Sequence, residues 1–230
     1  MGVTRKPAIS LAAVPGRRKA TVEMAKRLEE EGFAGIYCPS LGDGLGLCEA
    51  SALATRSIPF GTSIANIYTR HAFDFAQTAA LIHELSGGRF RFGVGVSHGP
   101  THDRLGIKPG KPLEDIRRFV QDVRAGAKLA GELPPITLAT LRKKMTALSA
   151  EIAQGAVWAN AARSHMPKSL EALPAAVRTG ADFFVGQHGA DLHRRRPRRR
   201  RGEPPHPDRL REAAQLPVGP GSYLSSTQQN

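Results

Sequence analysis

Apolar residues in this chain fall into short blocks separated by amphipathic stretches, so strand-like and helix-like periods take turns. Residues 9–14 form a compact apolar run and read as a strand. Residues 17–31 set Val22, Ala25 and Leu28 at helical spacing, with Gly32 placed to stop the helix. Residues 35–40 predict a second strand and 45–56 a second helix; 58–65 predict a third strand. The helix expected over about 72–86 puts Phe75, Ala79, Ile82 and Leu85 on one buried face. In residues 89–96 Phe90, Phe92, Val94 and Val96 point one way, and Arg91, Gly93 and Gly95 the other. The bulky set is expected to meet helices, and the glycines to leave room on the opposite face. Residues 98–112 read as a Gly/Pro-rich loop, and Leu113, Ile116, Phe119, Val120 and Val123 mark a further helix. Strands are expected at 135–141, 156–161 and 181–186, with helical segments at 142–153 and 167–179.

Strands alternating with helices imply a parallel sheet with helical crossovers. No dinucleotide glycine fingerprint follows the first strand, which favours an α/β TIM-like (β/α)8 barrel over a doubly wound sheet. It is an incomplete barrel of about seven strands with an irregular basic C-terminal tail. The expected division is residues 1–187 as the barrel domain and 188–230 as an Arg/Pro-rich tail, disordered or out of frame.

Charge sharpens that division. The net charge is +13; residues 188–230 hold nine Arg, no Lys and four acids, leaving +8 on the first 187 residues. An Arg-rich tail has a nucleic-acid-binding reading, the noncatalytic alternative for the whole chain. A second explanation is a reading frame displaced by one inserted base near codon 187, since each Arg-Arg step written in GC-rich codons becomes alanine one base later. On that account nucleic acid is not a partner. No apolar run approaches the ~20 residues of a membrane span, and residues 9–14 make a poor signal peptide before Pro15-Gly16-Arg17-Arg18. A cytoplasmic protein is expected, with Cys38 and Cys48 as reduced thiols.

Several local patterns have chemical readings. Gly95-Val96-Ser97-His98-Gly99 matches G-x-S-x-G after a strand, so a serine hydrolase through Ser97 has to be weighed; it requires a helix directly after the serine, and Gly99-Pro100 speak against one. His98 and His102 are four apart, but without a helix they do not share a face, and no metal site is expected. His71 and His83 read as a loop and a helix-surface residue. Trp158 and Asn160 alternate with Ala159 and Ala161, so either pair can face the mouth.

Residues 58–97 carry more specific information. Gly61-Thr62-Ser63-Ile64, Asn66-Ile67-Tyr68-Thr69-Arg70-His71 and Glu84-Leu85-Ser86-Gly87-Gly88-Arg89-Phe90 running into Gly93-Val94-Gly95 resemble segments of luciferase-like monooxygenases, the flavin- or F420-dependent oxidoreductases. The segments ITLATLRKKM and AEIAQGAVWANA extend the resemblance to roughly residues 7–186. It implies a TIM-like barrel binding FMN or coenzyme F420 at the strand C-termini, a small organic substrate and a possible homodimer. It also implies a non-prolyl cis peptide at Ser63-Ile64 behind the ring. Asn66, Val96, Ser97 and His98 would contact the cofactor, Ala139 and Thr140 its side chain or phosphate, and Pro39 and Ser40 would line the ring pocket. Where some F420 enzymes carry an acid at the end of the fourth strand this sequence has His98, a weak candidate for proton transfer.

Overall fold

The computed structural model describes residues 6–159, 163–180 and 182–188. The Arg/Pro-rich tail beyond His188 and Asn160 lie outside the described residues. Parallel pairing joins β1 (Ile9–Ser10), β2 (Ile36–Cys38), β3 (Phe60–Thr62), β5 (Phe90–Gly95), β6 (Ile136–Ala139), β7 (Gly155–Ala159) and β8 (Phe184–His188) in that order. The short β4 (Ala65–Asn66) pairs with β5 beside β3. Among the described residues β1 and β8 are the two edges.

The sheet is curled. Tyr37 on β2 and Phe184 on β8 lie 6.0 Å apart between ring centroids, and the Arg91 guanidinium on β5 stands 4.3 Å over the Phe184 ring. Side chains from both flanks and the middle meet on one face only if that face is concave, as in a half-barrel of the expected TIM-like kind.

The convex face carries the helices α1 (Arg18–Glu30), α2 (Gly44–Ala54), α3 (Ala72–Leu85), α5 (Pro112–Ala130) and α6 (Lys143–Ile152). Phe90, Phe92 and Val94 are buried, and Phe75 of α3 packs on both Phe92 and Phe119 of α5. The alternation in β5 thus sends its aromatic residues to the helical layer. Trp158 follows the same rule: fully buried with Ala156, Met166 and Leu173, it belongs to the core. Leu85, expected on the buried face of α3, is 42% exposed at the final residue of the helix.

The third strand differs from expectation by breaking in two. A cis peptide at Ser63-Ile64 separates β3 from β4, as the resemblance implied. The glycines of the neighbouring strand answer to that bulge. A Cβ at Gly93 would overlap the Thr62 carbonyl oxygen, and one at Gly95 would stand 2.9 Å from the Ala139 Cβ and 3.2 Å from the Ile64 side chain. Gly93 and Gly95 therefore admit the bulged strand, and the space they free is filled by protein.

The barrel's lower end is held by charge and hydrogen bonds. Glu29 at the end of α1 accepts from the backbone N–H groups of Arg56, Ser57 and Ile58, which lead into β3. Burial raises its pKa, but those bonds outweigh burial and hold the carboxyl down at about 2.

Candidate functional site

Because every strand is parallel, the C-terminal ends of β2 to β7 line one edge, the edge at which barrels carry their chemistry. Residues 39–40, 63–66, 96–98 and 139–140 all fall there. Local bonds tie them together. Ser63 N–H donates to the Cys38 carbonyl at 2.8 Å, which puts the bulge beside Pro39 and Ser40. Asn66 is in register with Gly95, and Ile67 N–H donates to the Gly95 carbonyl at 3.1 Å. Thr140 N–H donates to the Val157 carbonyl at 2.8 Å.

Two of these residues hold buried polar atoms with no partner among the described residues. Asn66 is 4% exposed; its amide oxygen accepts from Tyr68 N–H, while Nδ2 has no partner. Thr140 is 1% exposed and its hydroxyl has no side-chain or backbone partner. Such atoms cost about 1–3 kcal/mol each when left unmade, so a buried polar atom at a concave strand edge points to a ligand or water. Ser63, Ile64, Val96, Ser97, Ala139 and Pro39 are partly buried around them, and Ser40 and His98 are exposed at the rim.

Ser97 has φ 59, the one non-glycine residue with positive φ among the described residues, and it turns the chain from β5 into α4 (Gly99–Leu105). This helix corrects the loop expected at 98–112. Pro100 sits in its first turn, where a missing N–H costs nothing, so the proline starts the helix. The objection that no helix follows Ser97 therefore falls, but among the described residues no base bonds the Ser97 hydroxyl. His98 is the exposed cap of α4, and His102 donates from Nε2 to the Val96 carbonyl at 2.6 Å. Among the described residues no three His, Cys, Asp or Glu gather as a metal cluster.

Sequence reasoning missed the support behind Val96. The Tyr68 ring meets His102 edge-on at 5.4 Å, and its phenol donates to Asp115 at 2.7 Å. Burial first, and then the hydrogen bond to Asp115, push the Tyr68 phenol well above its ordinary pKa. Asp115 is itself buried and also accepts from Gly110 N–H and Arg118. The helical spacing of 113–123 showed only the apolar face, and Asp115 falls between its members. Arg91 was seen to point inward but its setting was not. On the concave face burial raises the Tyr37 phenol pKa, opposed by the adjacent Arg91, whose own pKa burial lowers. His83, expected at a helix surface, is largely covered, with Nδ1 buried and unbonded.

The family model described as luciferase-like monooxygenase matches residues 3–190. The chain belongs to that family. A 5,10-methylenetetrahydromethanopterin reductase of Methanolobus tindarius is 30% identical over 180 residues, covering 68% of this chain and 54% of its own length. The chain thus spans about half the length of that curated relative. Among solved structures, an F420-dependent secondary alcohol dehydrogenase with an F420-acetone adduct superposes with TM-score 0.67 at 16% identity, over 80% of this chain and 68% of that one. The oxygenating constituent of 3,6-diketocamphane monooxygenase from Pseudomonas putida, in complex with FMN, gives TM-score 0.61 at 13% identity, over 76% and 66%. At these identities the structures share the fold. Among the described residues no helix is long and apolar enough to cross a membrane.

Proposed function

We propose that this chain provides the cofactor-binding half of an oxidoreductase that uses coenzyme F420 or FMN on a small organic substrate. The observation that carries the reading is the pair of unbonded buried groups, Asn66 Nδ2 and Thr140 Oγ1, at the C-terminal ends of β4 and β6. A deazaflavin or flavin presents ring carbonyls, ring nitrogens and a hydroxylated side chain, which need one donor and one donor-acceptor of this kind.

The bound ring would supply hydride transfer, or oxygen activation when a reduced flavin is used. This chain's residues position it. The Ser63-Ile64 bulge would form its backing, with the Ile64 side chain lying beside Gly95. Asn66 would donate to an acceptor on the ring, and the Val96-Ser97 turn, fixed by His102, would offer backbone groups beside it. Ala139 and Thr140 would face the cofactor's side chain, while Pro39 and Ser40 would bound the ring pocket from the β2 side. His98, exposed at the rim, can hold a proton for exchange with a substrate. Hydride transfer is the preferred reading, since the matched relative is named a reductase.

The test is fluorescence titration of the full chain with F420 and with FMN. Saturable binding of either, weakened in Asn66→Ala, supports the reading; binding of neither overturns it. Removing residues 188–230 should leave cofactor binding intact, whereas salt-sensitive nucleic-acid binding lost on removal would favour the basic-tail alternative.

A further inference from the structure

A network behind the cofactor edge sets the direction of two donors on neighbouring strands. His102, buried in α4, holds the first. A carbonyl oxygen can only accept, so His102 Nε2 carries the ring proton and donates it to the Val96 carbonyl at 2.6 Å. The His102 main chain is held on both sides, its N–H donating to the His98 carbonyl at 3.1 Å and its carbonyl accepting from Ile107 N–H at 2.9 Å. The Val96-Ser97 peptide is trans, so its C=O and N–H point in opposite directions. With the carbonyl tied to His102, the Ser97 N–H points away from that ring, and it has no partner among the described residues.

Tyr68 sets the second donor. Its N–H donates to Asn66 Oδ1 at 3.2 Å, which fixes the orientation of the amide and leaves Nδ2 as the free, buried end. Asn66 is in register with Gly95, two residues before Ser97 on the adjacent strand, so the two free donors lie at neighbouring strand ends. The Tyr68 ring meets the His102 ring edge-on, with 88° between their planes, and buried Asp115 anchors its phenol while accepting from Gly110 N–H at 2.8 Å. One aromatic pair thus stands behind both donors. Leaving donors unbonded in a covered place is unfavourable, and a rigid support that keeps them so is what a site for an acceptor requires.

We infer that His102, backed by Tyr68, is a positioning residue for the cofactor edge: it holds the Ser97 N–H beside Asn66 Nδ2, so that the pair meets a ligand edge with neighbouring acceptors, such as a ring carbonyl next to a ring nitrogen. The inference rests on the proposed ring site and deepens it by naming the groups that set its geometry. His102 does not touch the ligand on this account; it acts through the Val96-Ser97 peptide. Its contribution is one N–H donor at a fixed reach. Glutamine carries its amide nitrogen the same number of bonds beyond Cβ as histidine carries Nε2, so glutamine can replace that donor and leucine cannot.

The test titrates FMN and F420 into the full chain and into its His102→Gln and His102→Leu variants, reading the affinity and the visible absorption band of the bound ring. His102→Leu should bind about tenfold more weakly and shift the band, whereas His102→Gln should stay within about threefold of the unaltered chain and restore the band. In the unaltered chain the Ser97 amide proton, followed by heteronuclear NMR, should move downfield on saturation as it gains an acceptor; this measurement stands even where the leucine variant fails to fold. Unchanged affinity and band in His102→Leu, a glutamine variant that fails to restore them at an unchanged melting temperature, or a Ser97 amide that does not move on saturation overturns the positioning role while leaving the ring site standing. Binding of neither ligand to the unaltered chain overturns the ring site and this inference with it.

Discussion

Replacing Arg89 by Lys tests how the lower end of the barrel is held. The guanidinium donates five hydrogen bonds: Nε to the Ser86 carbonyl at 2.8 Å, Nη1 to Thr55 Oγ1 at 2.9 Å and the Ile58 carbonyl at 3.1 Å, and Nη2 to the Ala52 and Thr55 carbonyls at 3.0 Å each. It also lies 5.2 Å from the Phe60 ring centroid. Ala52 and Thr55 end α2 and Ser86 ends α3, so one side chain satisfies carbonyls that two helix termini would leave unmade. Lysine keeps the charge but cannot reproduce the planar fork, and at least two of the five acceptors lose their donor. Bonds to a charged donor are worth about 1.5–3 kcal/mol each, and shared partners make the losses less than additive. Arg89→Lys should therefore cost about 3 kcal/mol, and lower the melting temperature by about 6–12 °C at this chain length. Urea unfolding followed by circular dichroism measures it. A loss below about 1 kcal/mol would refute the view that fork geometry, rather than charge alone, joins these helix ends.

Three further outcomes are expected. The Glu29 carboxyl is held at about 2, below its ordinary 4.5, so its contribution is complete above 4.5 and fades as pH falls toward 2; after solvent screening it amounts to about 1–2 kcal/mol, and Glu29→Gln should lose it at pH 7 and flatten the acid limb of a stability–pH curve. Gly95→Ala places a methyl 2.9 Å from Ala139 and 3.2 Å from Ile64, which should cost about 1–3 kcal/mol in thermal unfolding and weaken FMN or F420 binding about tenfold by displacing Ile64. Tyr68→Phe removes the 2.7 Å bond to buried Asp115 and should cost about 1–3 kcal/mol by the same measurement; no change would mean that the network does not support the Val96 turn.

Much of the fold was legible because parallel strands and amphipathic helices write different periods. The order of elements, the outward set Phe90, Phe92 and Val94, and the placement of the candidate residues along one edge all follow from that pattern. Other features depend on partners far away in sequence. Asp115 reads as a polar gap in a helix until Tyr68 is set against it, 47 residues earlier. The glycines of β5 were read as open space, yet they accommodate a bulge whose cause lies in the preceding strand. The helix after Ser97 is hidden by Gly99 and Pro100, which resemble breakers although a proline in the first turn is a helix start. The cleft lined by Arg142, Lys143 and Lys168 joins residues from two separate helices, so no local period reveals it.

The most direct test of the cofactor edge is hydrogen–deuterium exchange of the full chain with and without saturating F420 or FMN. Amide protection is predicted to rise in peptides covering 61–67, 93–98 and 138–141, with residues 55–58 and 86–90 at the opposite end unchanged. Saturable binding with no added protection at those three segments, or with protection confined to the opposite end, would contradict the assignment of the site.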